Sequence, residues 1–591
     1  MTSFPAAARW GLLLGTGLAL AVTPAHARKK AKDADLAPAT SGLIDNVNGL
    51  AIGGDGRLVH FTGLLIDRQG RIERRLMEGE KRPERLAYRM DAKGQTLIPS
   101  FVDGHAEVIA TGIARMTLDL GDTRSLAQAQ AKIAAYARDN DGRKWILGRG
   151  WDPARWGSAS LPTAADLDAV LSTIPVWLES ADGEMGWANS LAMRQAGIGP
   201  TSKAPAGGRI IMAGGKPTGL FSGTAMDMVR RIIPPPAPKD RDIALDKAQP
   251  LFLAAGIGTV ADMGTSISDW QSYRRAGDRG ALRLRIVGYA DGIENMVTIA
   301  GPGPSPWLYD DRLRLAGVHF AIDGTLATRT AWLKAPYADA PDEKGMARID
   351  STRLRNQMSR AAMDGFQIAL STHGDAAVDE AIYAIDELAA TYDGDRRWRI
   401  EGAELVDPAD RAALAARGAL VTVQPGQLAD TGPALLRRVG ENRALLPLSA
   451  LSVGGDRLSF GNWAFGGGTS GSVPSPFIAI AAAMSRADAR GEPFGGLPPQ
   501  EEHLRFEQAF AAATRGAAFA LQGEKRAGSL EPGQWADFLL IDRDISLASA
   551  ADIAQTKLLE HWLGGHKVWS ATGARAAVPS TEKREPAGPP Q

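Results

Sequence analysis

Short apolar runs recur through the middle of the chain, and between them lie longer stretches with apolar residues three and four apart. The runs include "TLIPSFVDGH", "VWLESADGE", "IGTVADMG", "LRLRIVGYA", "LRLAGVHFAIDG", "FQIALSTHGD", "RWRIEGAEL", "ALVTVQP" and "LSFGN". The longer stretches include "SLAQAQAKIAAYARDN", "DSTRLRNQMSRAAMDG" and "AVDEAIYAIDELAATYD". Near-continuous apolar strands are buried on both faces, and with helices between them they predict a parallel sheet. One helix is punctuated at both ends, with Asp407 as N-cap, Pro408 in the first turn and Gly418 past the end. About eight strand–helix units in succession fit a closed barrel better than an open sheet. The pattern therefore predicts an α/β chain built on a (β/α)8 TIM barrel, over residues 97–523.

The two ends of the body read differently. Residues 41–96 carry short alternating runs ("GLAIGGDGRLVHFTGLLIDRQGRIERRL"), with Asp55-Gly56 and Gln69-Gly70 as turn dipeptides. Residues 524–575 repeat the style in "GSLEPGQWADFLLIDRD" and "HWLGGHKVWSATG". Two distant β-rich pieces flanking one body predict a small composite β-sandwich domain made from both terminal segments. Before it, residues 1–27 have the order of a secretory signal: Arg9, an apolar stretch from Trp10 to Val22, then Ala25-His26-Ala27 as the cleavage site. That order predicts a periplasmic or secreted protein with no stable membrane insertion once the segment is removed. An uncleaved anchor is the alternative, since Arg28-Lys29-Lys30 follows. Residues 576–591 read as a disordered tail.

Composition narrows the chemistry. The 591 residues hold 67 basic and 67 acidic side chains, so nothing in the charge points to nucleic acid or an anionic membrane as partner. With no cysteine, disulfides, thiolate zinc sites and cysteine nucleophiles are excluded. Eight histidines, with carboxylates, lysines and hydroxyls, carry whatever chemistry there is. His60, His503, His561 and His566 read as surface or packing residues. Gly256-Ile257-Gly258 has the wrong flanking order for a dinucleotide fingerprint.

In a barrel of this kind the chemistry sits at the C-terminal strand ends. Polar residues cluster at those places: Asp103, His105 and Glu107; Asp182 and Glu184; His319 and Asp323; Ser371, His373 and Asp375; Glu401 and Glu404. His105 and Glu107 are two apart, which on an extended strand puts them on one face. Oxygen and nitrogen ligands of this kind suit zinc or a similar divalent ion.

Here the sequence resembles a known family. "GQTLIPSFVDGHAE" is similar to the first-strand pattern of the amidohydrolase superfamily. "GRGWDPARW", "PVWLESADGEMGWANSLAMRQAGI", "AIDGTLATRTAWLKAPYAD", "HGDAAVDEAIYAIDEL", "RWRIEGAELVDPAD" and "LEPGQWADFLLID" resemble amidohydrolase family 3, the group that includes N-substituted formamide deformylases. The resemblance implies a barrel with a composite β-domain and hydrolysis of a non-peptide C–N bond in a small-molecule amide. It also implies a bound metal, and there the match breaks. Glu107 stands where the family's second histidine is usual, Glu184 replaces the histidine of Asp-Gly-His, His319 replaces a lysine, Ser371 a histidine, and Gly402 the histidine of Glu-His. Trp463 aligns with the aspartate that usually serves as base.

Two readings follow. In one, the site is remodelled: His105, Glu107 and His319 bind one divalent ion, zinc by preference, Glu184 or Glu401 is the base, and Asp182, Arg329, His373 and Trp463 meet the substrate. In the other, the barrel is catalytically inactive and serves as a small-molecule binding protein. A homo-oligomer is compatible with either.

Overall fold

A computed structural model describes residues 41–571, except 154, 158–159, 182, 206–207, 441–442, 444, 453–456, 462–472 and 488–502. The segment expected to be a secretory signal, Asp182, Trp463 and residues 572–591 lie outside the described residues.

Eight parallel strands form the barrel: Phe101–Ala106, Ile257–Thr265, Arg285–Asp291, Leu313–Ala321, Gln367–Thr372, Arg399–Gly402, Leu420–Val423 and Leu458–Phe460, each hydrogen-bonded to the next in chain order. The first and eighth strands close on one another. A Cβ on Gly104 would come within 3.0 Å of the Phe460 carbonyl oxygen and 2.9 Å of Ser459 Oγ, so the seam needs a residue without a side chain there. Helices cover the outside through a continuous apolar layer that includes Phe252, Leu354, Ile385, Leu414 and Ile480. Their starts are set by side chains: Ser266 and Asp269 form a capping box, and Asp350 accepts from the Arg353 N–H.

The composite domain is one eight-stranded sheet drawn from both ends of the chain. Its halves join where Thr96–Pro99 runs antiparallel to Phe538–Ile541. Ile44, Val47, Phe61, Leu97 and Phe538 form its core. The run "TLIPSFVDGH" is thus divided at Ser100: Thr96–Pro99 belongs to this sheet and Phe101–Ala106 to the barrel.

A third sheet is inserted between the first and second barrel strands. Its six strands are Leu118–Asp119, Ile146–Trp151, Val176–Ser180, Met185–Ala188, Lys216–Gly223 and Gly208–Ala213. The apolar pattern gives no sign of it, and by that pattern "VWLESADGE" belongs to the barrel. Val176–Ser180 instead pairs in parallel with Ile146–Trp151 and antiparallel with Met185–Ala188. An apolar run in a buried inserted sheet has the same pattern as one in a barrel wall. No helix among the described residues is long and apolar enough to cross a membrane.

Candidate active site

His105 on the first barrel strand, His319 on the fourth, Ser371 on the fifth and Glu401 on the sixth meet at the C-terminal end of the barrel. His105 Nδ1 lies 3.0 Å from Glu401 Oε2, with both residues buried. A carboxylate only accepts, so the Nδ1 proton is on His105 and Nε2 is its basic nitrogen. The rings of His105 and His319 stand edge to face with centroids 6.0 Å apart. His319 Nε2 is 2.7 Å from Ser371 Oγ.

Beneath this group lies a side chain with no trace of exposure, Arg399. Its Nε donates to Glu401 Oε1 at 2.8 Å, its Nη1 to Tyr289 Oη at 2.8 Å, and its Nη2 to the Gly104 carbonyl at 2.6 Å and to Thr422 Oγ1 at 3.1 Å. One guanidinium thereby ties the first, third, sixth and seventh strands together. Burial alone would raise the Glu401 pKa. The Arg399 charge and the His105 hydrogen bond outweigh it and hold the carboxyl below its usual range, so it is ionised. His319 moves the other way: burial first, then the neighbouring His105, lower it to about 3, so it is neutral.

His373 faces Glu404, Nδ1 to Oε2 at 3.4 Å. Burial lowers its pKa, but the Glu404 charge and hydrogen bond with the Asp323 charge raise it overall. Its ring occupies the space beside Gly402, where φ is +93° and an added Cβ would meet the Thr372 carbonyl at 2.8 Å and the His373 ring at 3.3 Å. Where the family resemblance expects an imidazole from position 402, this chain has one from 373. Asp323 accepts the backbone N–H groups of His373, Gly374 and Trp332, and so holds the loop in place.

The other residues singled out from the sequence have surroundings of their own. Glu107 follows the strand and precedes the helix Val108–Met116. Its carboxyl sits in the field of Asp262, Asp269 and Asp291; burial first, then these like charges, push its pKa to about 8. Glu184 is ion-paired with Arg438. Arg329 forks onto Asp339, Nε at 3.1 Å and Nη2 at 2.7 Å. Sequence reasoning missed Arg399, Tyr289 and Thr422. For Arg399 a signal existed: it stands two before Glu401 on a strand apolar in between, which puts both on one face.

A divalent ion is what the resemblance implies, and the donors present do not fit one. Among the described residues no three His, Asp or Glu side chains are gathered as ligands. Glu107 is in a different electrostatic neighbourhood from His105 and His319. The carboxylate that does reach His105 has its other oxygen on a guanidinium, which already supplies the positive charge there. The expected trio of His105, Glu107 and His319 is therefore not assembled.

The barrel with its composite sheet agrees with comparisons against known proteins. A model of the amidohydrolase family matches residues 89–569, and the chain belongs to that family. It is 28% identical over 509 residues to the protein LONG AFTER FAR-RED 3 of Arabidopsis thaliana, covering 81% of this chain and 83% of that one. It is 23% identical over 502 residues to the N-substituted formamide deformylase of Arthrobacter pascens, covering 82% and 90%. Among solved structures, an uncharacterized metal-dependent hydrolase from Pyrococcus horikoshii superposes with a TM-score of 0.71 at 21% identity, covering 86% of this chain and 99% of that one.

Proposed function

We propose that the protein hydrolyses a non-peptide C–N bond of a small-molecule amide at the barrel mouth, with His105 as the group that takes and returns the proton. The observation that carries this reading is the His105–Glu401 pair, held by Arg399 inside the barrel of an amidohydrolase-family chain. An ionised carboxylate on Nδ1 fixes the tautomer, orients the ring and stabilises the imidazolium that forms. Water attacks the amide carbonyl carbon as its proton passes to His105 Nε2, and the same proton is then given to the departing amine. Glu401, fully buried and doubly engaged, positions His105 and does not itself meet the substrate.

The test is amine release from a panel of N-substituted formamides and N-acyl amines. Turnover is expected to survive dialysis against a chelator and to fall about 10²–10⁴-fold in His105→Ala. Loss of turnover on chelation, restored by zinc or manganese, would show that the donors rearrange around an ion after all. No turnover across the panel would leave a barrel that binds small molecules without converting them.

A further inference from the structure

Between the helix Val108–Met116 and the inserted sheet lies a cavity of about 420 Å³, whose lining includes none of the histidines just described. Its walls are mostly apolar, with Ile109, Ile113, Leu147, Trp177, Ile233 and Pro236 among them. A volume of this order is that of a small-molecule site. Arg149, on the strand Ile146–Trp151, lines it, and its Nε and Nη2 are buried without a hydrogen-bond partner among the described residues.

That is an unusual place for an unpaired charge. A buried guanidinium edge with nothing to donate to carries its full desolvation cost, so such groups are normally paired. The other charged groups at the cavity are already engaged. Glu179 accepts from Arg230 Nε at 2.9 Å and from Trp177 Nε1 at 3.1 Å. Asp269 pairs with Arg241 and caps its own helix. Asp119 accepts the Gly121 N–H at 2.8 Å, and Arg155 donates to the Gly121 carbonyl. Asp119 and Glu179 flank Arg149 in register on the adjacent strands, yet neither bonds to it.

The free edge is chemically specific. Nε and Nη2 form the side-on fork of arginine, which takes the two oxygens of a carboxylate in parallel. Elsewhere in this chain the same edge is filled in that way: Arg285 by Asp537, with Nε at 2.7 Å and Nη2 at 3.1 Å, and Arg329 by Asp339. We infer that this cavity binds a small molecule with an apolar body and one carboxylate, forked by Arg149. The site is independent of the hydrolysis proposed above, since it uses none of the same side chains.

Calorimetric titration with 4-phenylbutyrate, and with 4-phenylbutanol as the uncharged match, tests this on the full chain. The acid is expected to bind about ten- to a hundredfold more tightly than the alcohol, the range for a charged hydrogen-bonded pair. Arg149→Met should abolish that preference. Arg149→Lys, which keeps the charge without the fork, should restore only part of it, and thermal unfolding of both variants shows that they are folded. Equal binding of acid and alcohol, an acid preference that persists in Arg149→Met, or no saturable binding of the acid at millimolar concentration would each overturn the assignment. None of these outcomes bears on amine release, so the two readings fail separately.

Discussion

Glu401 turns one carboxylate oxygen to Arg399 and the other to His105, and the two bonds do different work. The first neutralises a guanidinium that has no access to water; the second sets the imidazole. Glu401→Gln keeps an acceptor for Arg399 but loses the charge, and its amide nitrogen cannot accept the His105 Nδ1 proton. Removing one partner of a buried ion pair typically costs about 3–5 kcal/mol, while replacing both by apolar groups is often close to neutral. Glu401→Gln should therefore unfold at clearly lower urea and lose kcat about 10²–10⁴-fold with KM little changed. Adding Arg399→Met should recover stability without recovering kcat. A double variant that regains turnover would remove Glu401 from any role toward His105. The pair also marks the limit of what single positions reveal. His105, His319, Ser371 and Glu401 are legible in the sequence because they end apolar strands, a position the barrel reserves for chemistry. Which of them touch is not legible, because strand-end patterns do not fix which way a side chain leaves the last pleat. Glu107 illustrates this: alternation puts it beside His105, but the strand ends at Ala106 and the alternation with it.

At the scale of elements, the barrel strands and the pairing of the chain's two ends can be read from apolar runs and turn dipeptides. The inserted sheet cannot: its strand Val176–Ser180 is nearly as buried as the barrel wall and reads like one of its strands, while its edge strand Gly208–Ala213 is largely open and carries no apolar run of that kind. His561 reads as a packing residue in the sequence, and the structure gives that role content. It lies on the composite-sheet strand Leu558–Leu563, where Nδ1 reaches the Leu253 carbonyl at 2.9 Å and Nε2 reaches Ser100 Oγ at 2.8 Å. The carbonyl fixes the Nδ1 proton on the ring, which leaves Nε2 of the neutral imidazole as an acceptor for the single Ser100 hydroxyl proton, shared with the Gly256 carbonyl 3.2 Å away. Burial lowers its pKa to about 4. A histidine depressed in this way takes up its proton more readily once unfolded. Its contribution is complete above the unfolded value of about 6.5 and is lost as pH falls toward 4. The loss is at most about 3 kcal/mol. Urea midpoints measured between pH 7 and 4 should fall less steeply in His561→Gln than in the parent chain. Parallel pH profiles would show that the imidazole is already charged in the folded state.

At the scale of the whole molecule, the composite sheet and the barrel are held by a second buried ion pair. Arg285, on the third barrel strand, meets Asp537 just before the sheet strand Phe538–Ile541, and both are nearly inaccessible. Asp537 Oδ1 also accepts the Gly564 N–H at 2.6 Å, and the Arg285 guanidinium lies 4.5 Å from the Trp535 ring centroid. Two sequence regions far apart thereby fix the sheet against the barrel wall, and the site at the barrel mouth depends on strands that start at that contact. Covalent continuity points the same way, because Thr96–Pro99 of the sheet runs into Phe101–Ala106 of the barrel with Ser100 alone between them. The sheet and barrel should therefore unfold together. Asp537→Ala should move one cooperative urea transition by about 3–5 kcal/mol, and Arg285→Met with Asp537→Leu should return most of it. If Asp537→Ala instead splits the unfolding into two transitions by far- and near-ultraviolet circular dichroism, the ion pair is itself the coupling and the shared strand region is too weak to carry it. Calorimetric and van't Hoff enthalpies that agree in the parent chain and disagree in the variant would establish that coupling by an independent measurement.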